Sequence, residues 1–359
     1  MRTLTLRVLL AATVLAVSVV ITSSSAVAAT QQPRWRVFFT SPAGPSELTS
    51  IVSTGPKNAW AVGTNRAGLY VVHWNGTRWQ RENVPGTRNF SPDGIQATSS
   101  NNVWITGTGP NLPLTAMVWN GSGWHKTTLP ADTSDIAVLS RTDVWGIDAS
   151  GTSCTAGSDP VCTSVIWHWS QGTVTSFGVA GLAQNIASAG DHVWVLSKRA
   201  IQGDTSLPTV YYGDDAGLHQ IPSPTGRMGV FPQITASPRG QLWLLAPGPT
   251  RHRFGHIDYW NGQSWTRTVI PARSGGKFLS YGSWGFIYDN RNGVWLGPYT
   301  HWTGRRWIVT TPAMPTQAFE LMYIAPIPRS ASAWAVGFNN ARPGSQADRG
   351  LIALSGRRP

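Results

Sequence analysis

Along most of the chain, short runs of apolar and small residues are cut at brief intervals by Gly, Pro, Asn and Asp. That pattern predicts strands joined by turns rather than amphipathic helices. In the first stretch, SELTSIVST (46–54) reads as one strand, NAWAVGT (58–64) as a second, GLYVVHW (68–74) as a third and TRWQREN (77–83) as a fourth, with Pro85 beyond it.

The pattern repeats. A Trp preceded by a polar turn recurs at Trp60, Trp104, Trp145, Trp194, Trp243, Trp295 and Trp334, with spacings of 44, 41, 49, 49, 52 and 39 residues. That period suits propeller blades and exceeds most solenoid repeats. A second signature follows four of the seven copies: HWNGTRW (73–79), VWNGSGW (118–124), YWNGQSW (259–265) and HWTGRRW (301–307). Asn-Gly between two strand-like segments predicts a hairpin, because both residues accept positive φ. The third repeat keeps a worn version, WHWSQGTVTSF, and the fourth only YYGDDAGLHQ. The predicted fold is all-β: a seven-bladed β-propeller with four strands per blade.

After Trp334 there is room for one more strand, GLIALSG, but no fourth, whereas PRWRVFFTSP places Trp35 before Pro42 much as Trp79 precedes Pro85. An N-terminal strand is therefore expected to complete the last blade and close the ring, removing two open sheet edges. Of the 19 Trp, this scheme assigns seven to second strands, five to third strands and five to fourth strands. Trp167 and Trp284 fall outside it.

Ahead of the repeats, Arg2 and Arg7 precede an apolar run, Val8 to Ile21, and the small-residue exit Ala26-Val27-Ala28. This is the grammar of a secretory signal peptide over residues 1–28, leaving 29–359 as a single exported propeller domain. The competing reading, a membrane anchor, is disfavoured because the run is short for a bilayer and the small-residue exit follows it directly. In an exported chain the only two cysteines, Cys154 and Cys162, are expected to form a local disulfide across a loop.

The paired WAVG and HWNGxxW motifs resemble the repeats of secreted β-propeller proteins common in actinobacteria, and the resemblance covers the whole mature chain. It implies a lectin-like propeller, and extends to lectin-like subunits of the secreted umbrella toxin particles of filamentous actinobacteria. No binding residue transfers with it, since the matching positions are packing positions.

Catalytic chemistry is sparse. The three Glu (Glu47, Glu82, Glu320) and thirteen Asp supply no pair that the sequence brings together as a glycosidase requires. Asp143 and Asp191 read as turn residues, and Asp214-Asp215 reads as a hairpin turn rather than a calcium loop. His252 and His256 are weak metal candidates, for an H-x3-H spacing off a helix supplies too few ligands. No phosphate loop, nucleophile elbow or HExxH is present, and no cofactor is implied.

Removing Arg2 and Arg7 leaves 26 basic against 16 acidic residues, a mature net charge of +10. That balance favours anionic partners, which outside a cell are cell-wall polymers, acidic polysaccharides or lipid headgroups rather than nucleic acid. Arg34, Arg36, Arg78, Arg81, Arg267, Arg305 and Arg306 cluster around the predicted outermost strands. They are read either as a binding rim or as charges that discourage edge-to-edge aggregation. The aromatic residues that the repeat does not require, Trp167, Phe254, Tyr281, Trp284 and Tyr299, are the candidates for stacking on sugars. Trp284, in a predicted first strand, has the alternative of plugging the central channel. The expected function is thus a secreted lectin-like module for cell-wall or extracellular glycans, displayed as the targeting subunit of a larger secreted assembly. The alternatives are a protein-docking scaffold and a propeller lyase or glycoside hydrolase.

Overall fold

The computed structural model describes residues 35–42, 46–109, 114–130, 132–155, 161–200, 206–226, 232–246, 255–271, 285–309, 319–339 and 349–359. The expected signal peptide, 1–28, lies outside them. The described chain forms seven four-stranded antiparallel sheets and contains no helix. In sequence order the blades are Ser46–Glu82, Ser91–Thr128, Thr133–Ala180, Leu182–Ile221, Gln233–Val269, Phe286–Val309 and Phe319–Ser355. The seventh supplies only three strands from its own stretch. Its fourth is Trp35–Thr40, paired antiparallel with Arg349–Ser355 from Trp35 opposite Ser355 to Thr40 opposite Leu351. The expected closure is therefore present. The first strand of each blade meets the first strand of the next all the way round, which places first strands at the centre and fourth strands at the periphery.

The core is divided into seven apolar clusters, each lying between two successive blades and each containing one second-strand Trp. The purpose of the two sequence signatures is now evident. The second-strand Trp of one blade is clasped by the third- and fourth-strand Trp pair of the next: Trp60 lies 5.6 Å from Trp119 and 5.5 Å from Trp124. Across the closure, Trp334 lies 5.3 Å from Trp74 and 5.2 Å from Trp79. The worn fourth repeat has its own solution. Gly213 stands where a third-strand Trp would be, and the Trp145 ring packs directly over it. Trp35 enters the cluster between blades six and seven and donates its indole N–H to the Pro298 carbonyl at 3.0 Å. Each such ring buries a large apolar surface, contributing about 2 kcal/mol or more.

Nearer the axis, side chains of the first strands reach from blade to blade. Gln96 accepts from the Val138 amide at 3.1 Å, Asn185 from the Ile234 amide at 2.8 Å and Thr235 from the Tyr288 amide at 3.1 Å. Asp135 belongs to the same belt, accepting from the Ile186 amide at 3.3 Å and the Asn185 side chain at 3.1 Å. Burial between the two strands pushes its pKa up to about 6, and hydrogen bonds from Ile186, Ile136 and Asn185 offset this only partly. Cys154 and Cys162 face each other across the second and third strands of blade three and are joined by a disulfide.

Because the folded Asp135 holds its proton to a higher pH than the unfolded chain does, its ionisation opposes folding. Its contribution is best below about pH 4 and declines as the pH rises through about 6, by at most about 3 kcal/mol. Asp135→Asn carries no charge at any pH, so its melting temperature relative to wild type should climb between pH 4 and 7. A difference that stays constant across that range would refute the assignment.

Candidate functional site

The two ends of the ring are built differently. Connections within a blade between strands one and two, and between strands three and four, all emerge at one end and are tight turns of two to six residues. The Asn-Gly signatures form four-residue loops rather than two-residue turns: Trp74 pairs with Trp79, and the Asn75 carboxamide oxygen accepts from the amides of Thr77 and Arg78, both at 3.0 Å. Gly76 follows at φ 93°, where a side chain would be strained. Asn120 and Asn261 repeat the arrangement. At the opposite end lie the connections between strands two and three and between blades. The longest of them spans 270–285.

The aromatic candidates divide. Phe254, Tyr281 and Trp284, together with His252, lie outside the described residues. Trp167 and Tyr299 are not surface rings. Trp167 is 1 % exposed in the cluster between blades two and three, and its indole N–H donates to the Thr133 hydroxyl at 3.1 Å. Tyr299 is 7 % exposed beside Trp35 and Trp295, and its hydroxyl accepts from the Leu321 amide at 3.2 Å. A sugar cannot stack on a face already covered by protein, so both rings are frame residues. A sequence signal for Trp167 did exist. Opposite it stands Gly146, directly after Trp145, and a Cβ there would fall inside the Trp167 ring.

His256 turns inward. Its Nε2 lies 3.3 Å from Asp258 Oδ2, and Arg267 grips the same carboxylate from Nε at 2.8 Å and Nη2 at 3.0 Å. Burial would raise the Asp258 pKa, but the hydrogen bonds from His256 and Arg267 outweigh it and hold the group below the usual carboxylate value. Among the described residues no group of three or more His, Cys, Asp or Glu could hold a metal ion. The predicted basic rim is also divided. Arg34 lies outside the described residues. Arg36 donates to the Gly356 carbonyl at 3.1 Å, Arg81 sits 5.6 Å from the centre of the Tyr70 ring, and Arg267 is committed to Asp258. Arg78, Arg305 and Arg306 are exposed in the tight turns.

One recurring unit escaped the sequence reading. In blades one, three and six the second-strand Trp stacks face to face on a third-strand His, with centroids 3.9, 4.0 and 4.1 Å apart for Trp60–His73, Trp145–His168 and Trp295–His301. The far edge of each imidazole is hydrogen-bonded. Asn58 donates to His73 at 2.9 Å, His168 donates to Asp143 at 2.9 Å, and His301 donates to Asp289 at 2.8 Å. In blades four and five a Tyr replaces the His, with Tyr212 bonded to His192 at 2.9 Å and Tyr259 accepting from Gln241 at 2.7 Å. The signal was the residue before each third-strand Trp, as in His73-Trp74 and His168-Trp169.

No protein-family model matches the chain, and no curated protein sequence does. Solved structures do match in shape. YCF48 bound to D1 peptide is 15% identical with a TM-score of 0.54, over 90% of this chain and 98% of that one. The β-propeller domain of the Trilobed protease from Pyrococcus furiosus is 11% identical with a TM-score of 0.55, over 87% and 96%. Aleuria aurantia lectin in complex with Fucα1-6GlcNAc is 11% identical over 77% and 100%, but with a TM-score of 0.46 that likeness carries no argument. At these identities the matches establish the fold alone.

The Gly146–Trp167 fit is testable as a pair. Gly146→Ala should destabilise by about 1–3 kcal/mol through overpacking. Adding Trp167→Val to it should cost less than the two single effects combined, read by denaturant unfolding of all four chains. Strict additivity would show that the two sites do not touch.

Proposed function

We propose that the chain is an exported binding module that recognises cell-wall or extracellular glycans through the end of the ring carrying its long connections. The inequality of the two ends carries this reading. A rigid ring that confines its length variation to one end presents a broad face whose loops can vary without disturbing the blades. Phe254 belongs to the connection 247–255, and Tyr281 and Trp284 to 270–285. We assign these three rings to sugar stacking, where an aromatic face meets the apolar side of a pyranose.

Four of the described carboxylates are committed to the frame. Asp143 and Asp289 each hold a His, Asp258 is tied to His256 and Arg267, and Asp135 links two inner strands. These four are not available as a facing acid and base, which favours binding over hydrolysis in this reading. Display by a larger secreted assembly is compatible with this role, since the tight-turn end is left for other contacts.

A glycan array probed with residues 29–359 tests the proposal. Binding should weaken at least tenfold in Phe254→Ala or Trp284→Ala while the melting temperature holds. An empty array, together with a protein partner recovered from the culture supernatant, would establish the docking scaffold instead. Polysaccharide cleavage lost on His252→Ala would overturn the proposal in favour of an enzyme.

A further inference from the structure

The end of the ring formed by tight turns has a chemistry of its own. Its turns are tied to one another across blades. Arg141 in blade three donates to the Asn101 and Asn120 carbonyls of blade two at 2.8 and 3.0 Å, and Asn290 in blade six donates to the Pro326 carbonyl of blade seven at 3.3 Å. The C-terminal residues join this floor. Ser332 donates to the Arg357 carbonyl at 2.8 Å, and Arg358 donates to the Thr77 carbonyl of blade one at 2.7 Å while its guanidinium rests over Phe38 and Trp74.

Charge on this floor is sorted by blade. The turns between strands one and two carry Lys57, Arg239, Arg291 and Arg329, all exposed. The turns between strands three and four and the C-terminus add Arg78, Arg305, Arg306, Arg357 and Arg358, also exposed. All nine belong to blades five, six, seven and one, which are consecutive around the closed ring. The single acid in the turns of those four blades is Asp289, and it is committed to His301 and to the amides of Arg291 and Gly293. Leaving aside Arg306 and Arg358, no member of the arc makes an ion pair with a described carboxylate. The exposed acids of this end, Asp191 and Asp215, both lie in blade four, the turns of blade two carry no charge, and Arg141 is the one exposed cation in the described turns of blades two, three and four; like Arg358 of the arc, it donates to backbone carbonyls.

We infer that the arc of tight turns running from blade five to blade one is a second binding surface, fitted to a linear polymer that bears repeated phosphate or carboxylate groups. Eight of its nine cations are Arg, whose planar fork engages two oxygens of such a group at once. Between them stand Asn, Gln, Thr and Ser, which add hydrogen-bonding groups, together with Gly and with Pro56, Pro238 and Pro328. None of the large exposed apolar side chains, Val37, Val161, Val174, Leu207 and Val269, lies in these turns. Without apolar residues to insert, a lipid surface could hold the arc by charge alone, and a protein interface would lack a buried apolar centre, so a flexible polyanion suits it better than either. A polyanion needs only charge spread along a path, and blade four's acids set the side of the ring that the path avoids. The inference is independent of the glycan reading, which concerns the opposite end.

Binding of residues 29–359 to poly(glycerol phosphate), to polygalacturonate and to vesicles containing phosphatidylglycerol, at about 0.1 M salt, tests it. Arg239→Glu/Arg291→Glu/Arg305→Glu should weaken polymer binding at least tenfold. A control with the same change of charge at the opposite end, Arg66→Glu/Arg88→Glu/Arg349→Glu, should weaken it less than about threefold. The same three arc positions changed to Gln should give an intermediate loss at an unchanged melting temperature, which separates lost contacts from misfolding. The phosphate and carboxylate polymers identify which oxyanion the arc prefers, and binding to either supports the inference. Equal losses in arc and control variants would reduce it to net charge, and tighter binding to vesicles than to either polymer, or no polymer binding at all, would overturn it. Binding of neutral glycans should survive the arc variants, so failure of one site is distinguishable from failure of the other.

Discussion

The contact on which the whole ring depends is the indole of each second strand seated against the following blade. A four-stranded sheet exposes two apolar faces, and no blade can cover both of its own. Seven interfaces solve the problem only if the seventh blade also covers the first. At that interface Trp334 is enclosed by Trp74 and Trp79, with Phe38 from the N-terminal strand stacked edge-on at 5.3 Å. The N-terminal strand therefore does two jobs at once: it satisfies the open edge of Arg349–Ser355, and through Trp35 and Phe38 it fills the clusters on both sides of blade seven.

The repeat was legible because its signature residues are the packing residues. Trp60, Trp74 and Trp79 recur where the geometry of one interface recurs, so the count, the strand order and the closure could all be read from spacing. What could not be read were substitutions that only make sense across a strand pair. Trp167 looked surplus because the sequence does not show that Gly146 lies opposite it, and the place of Gly213 beneath Trp145 is hidden in the same way. The stacked His residues were missed for a related reason. His73 and Asn58 are fifteen residues apart and become partners only when the third strand folds back along the second. Tyr299 was misread because a turn residue normally faces water, whereas this one is buried in the same cluster that Trp35 enters.

The polar interior follows the same economy. Histidines, Asp143, Asp258 and Asp289 hold indoles and strands in place, and Asp135, Asn185 and Gln96 hold neighbouring blades together. The two ends of the ring differ in kind. At one the strands are joined by the longer connections, while the other is a floor of short, mutually bonded turns with its cations on four consecutive blades. A ring of this design lets its two ends differ without disturbing the frame.

The central claim, that a non-covalently added strand holds the seven interfaces together, is tested most directly by complementation. Residues 30–42 are removed, and a synthetic peptide of that sequence is returned to the truncated chain during thermal unfolding. The account predicts that the truncated chain melts well below the full chain and regains stability as peptide is added, saturating at one peptide per chain. A truncated chain that melts at the full-length temperature, and ignores the peptide, would contradict it.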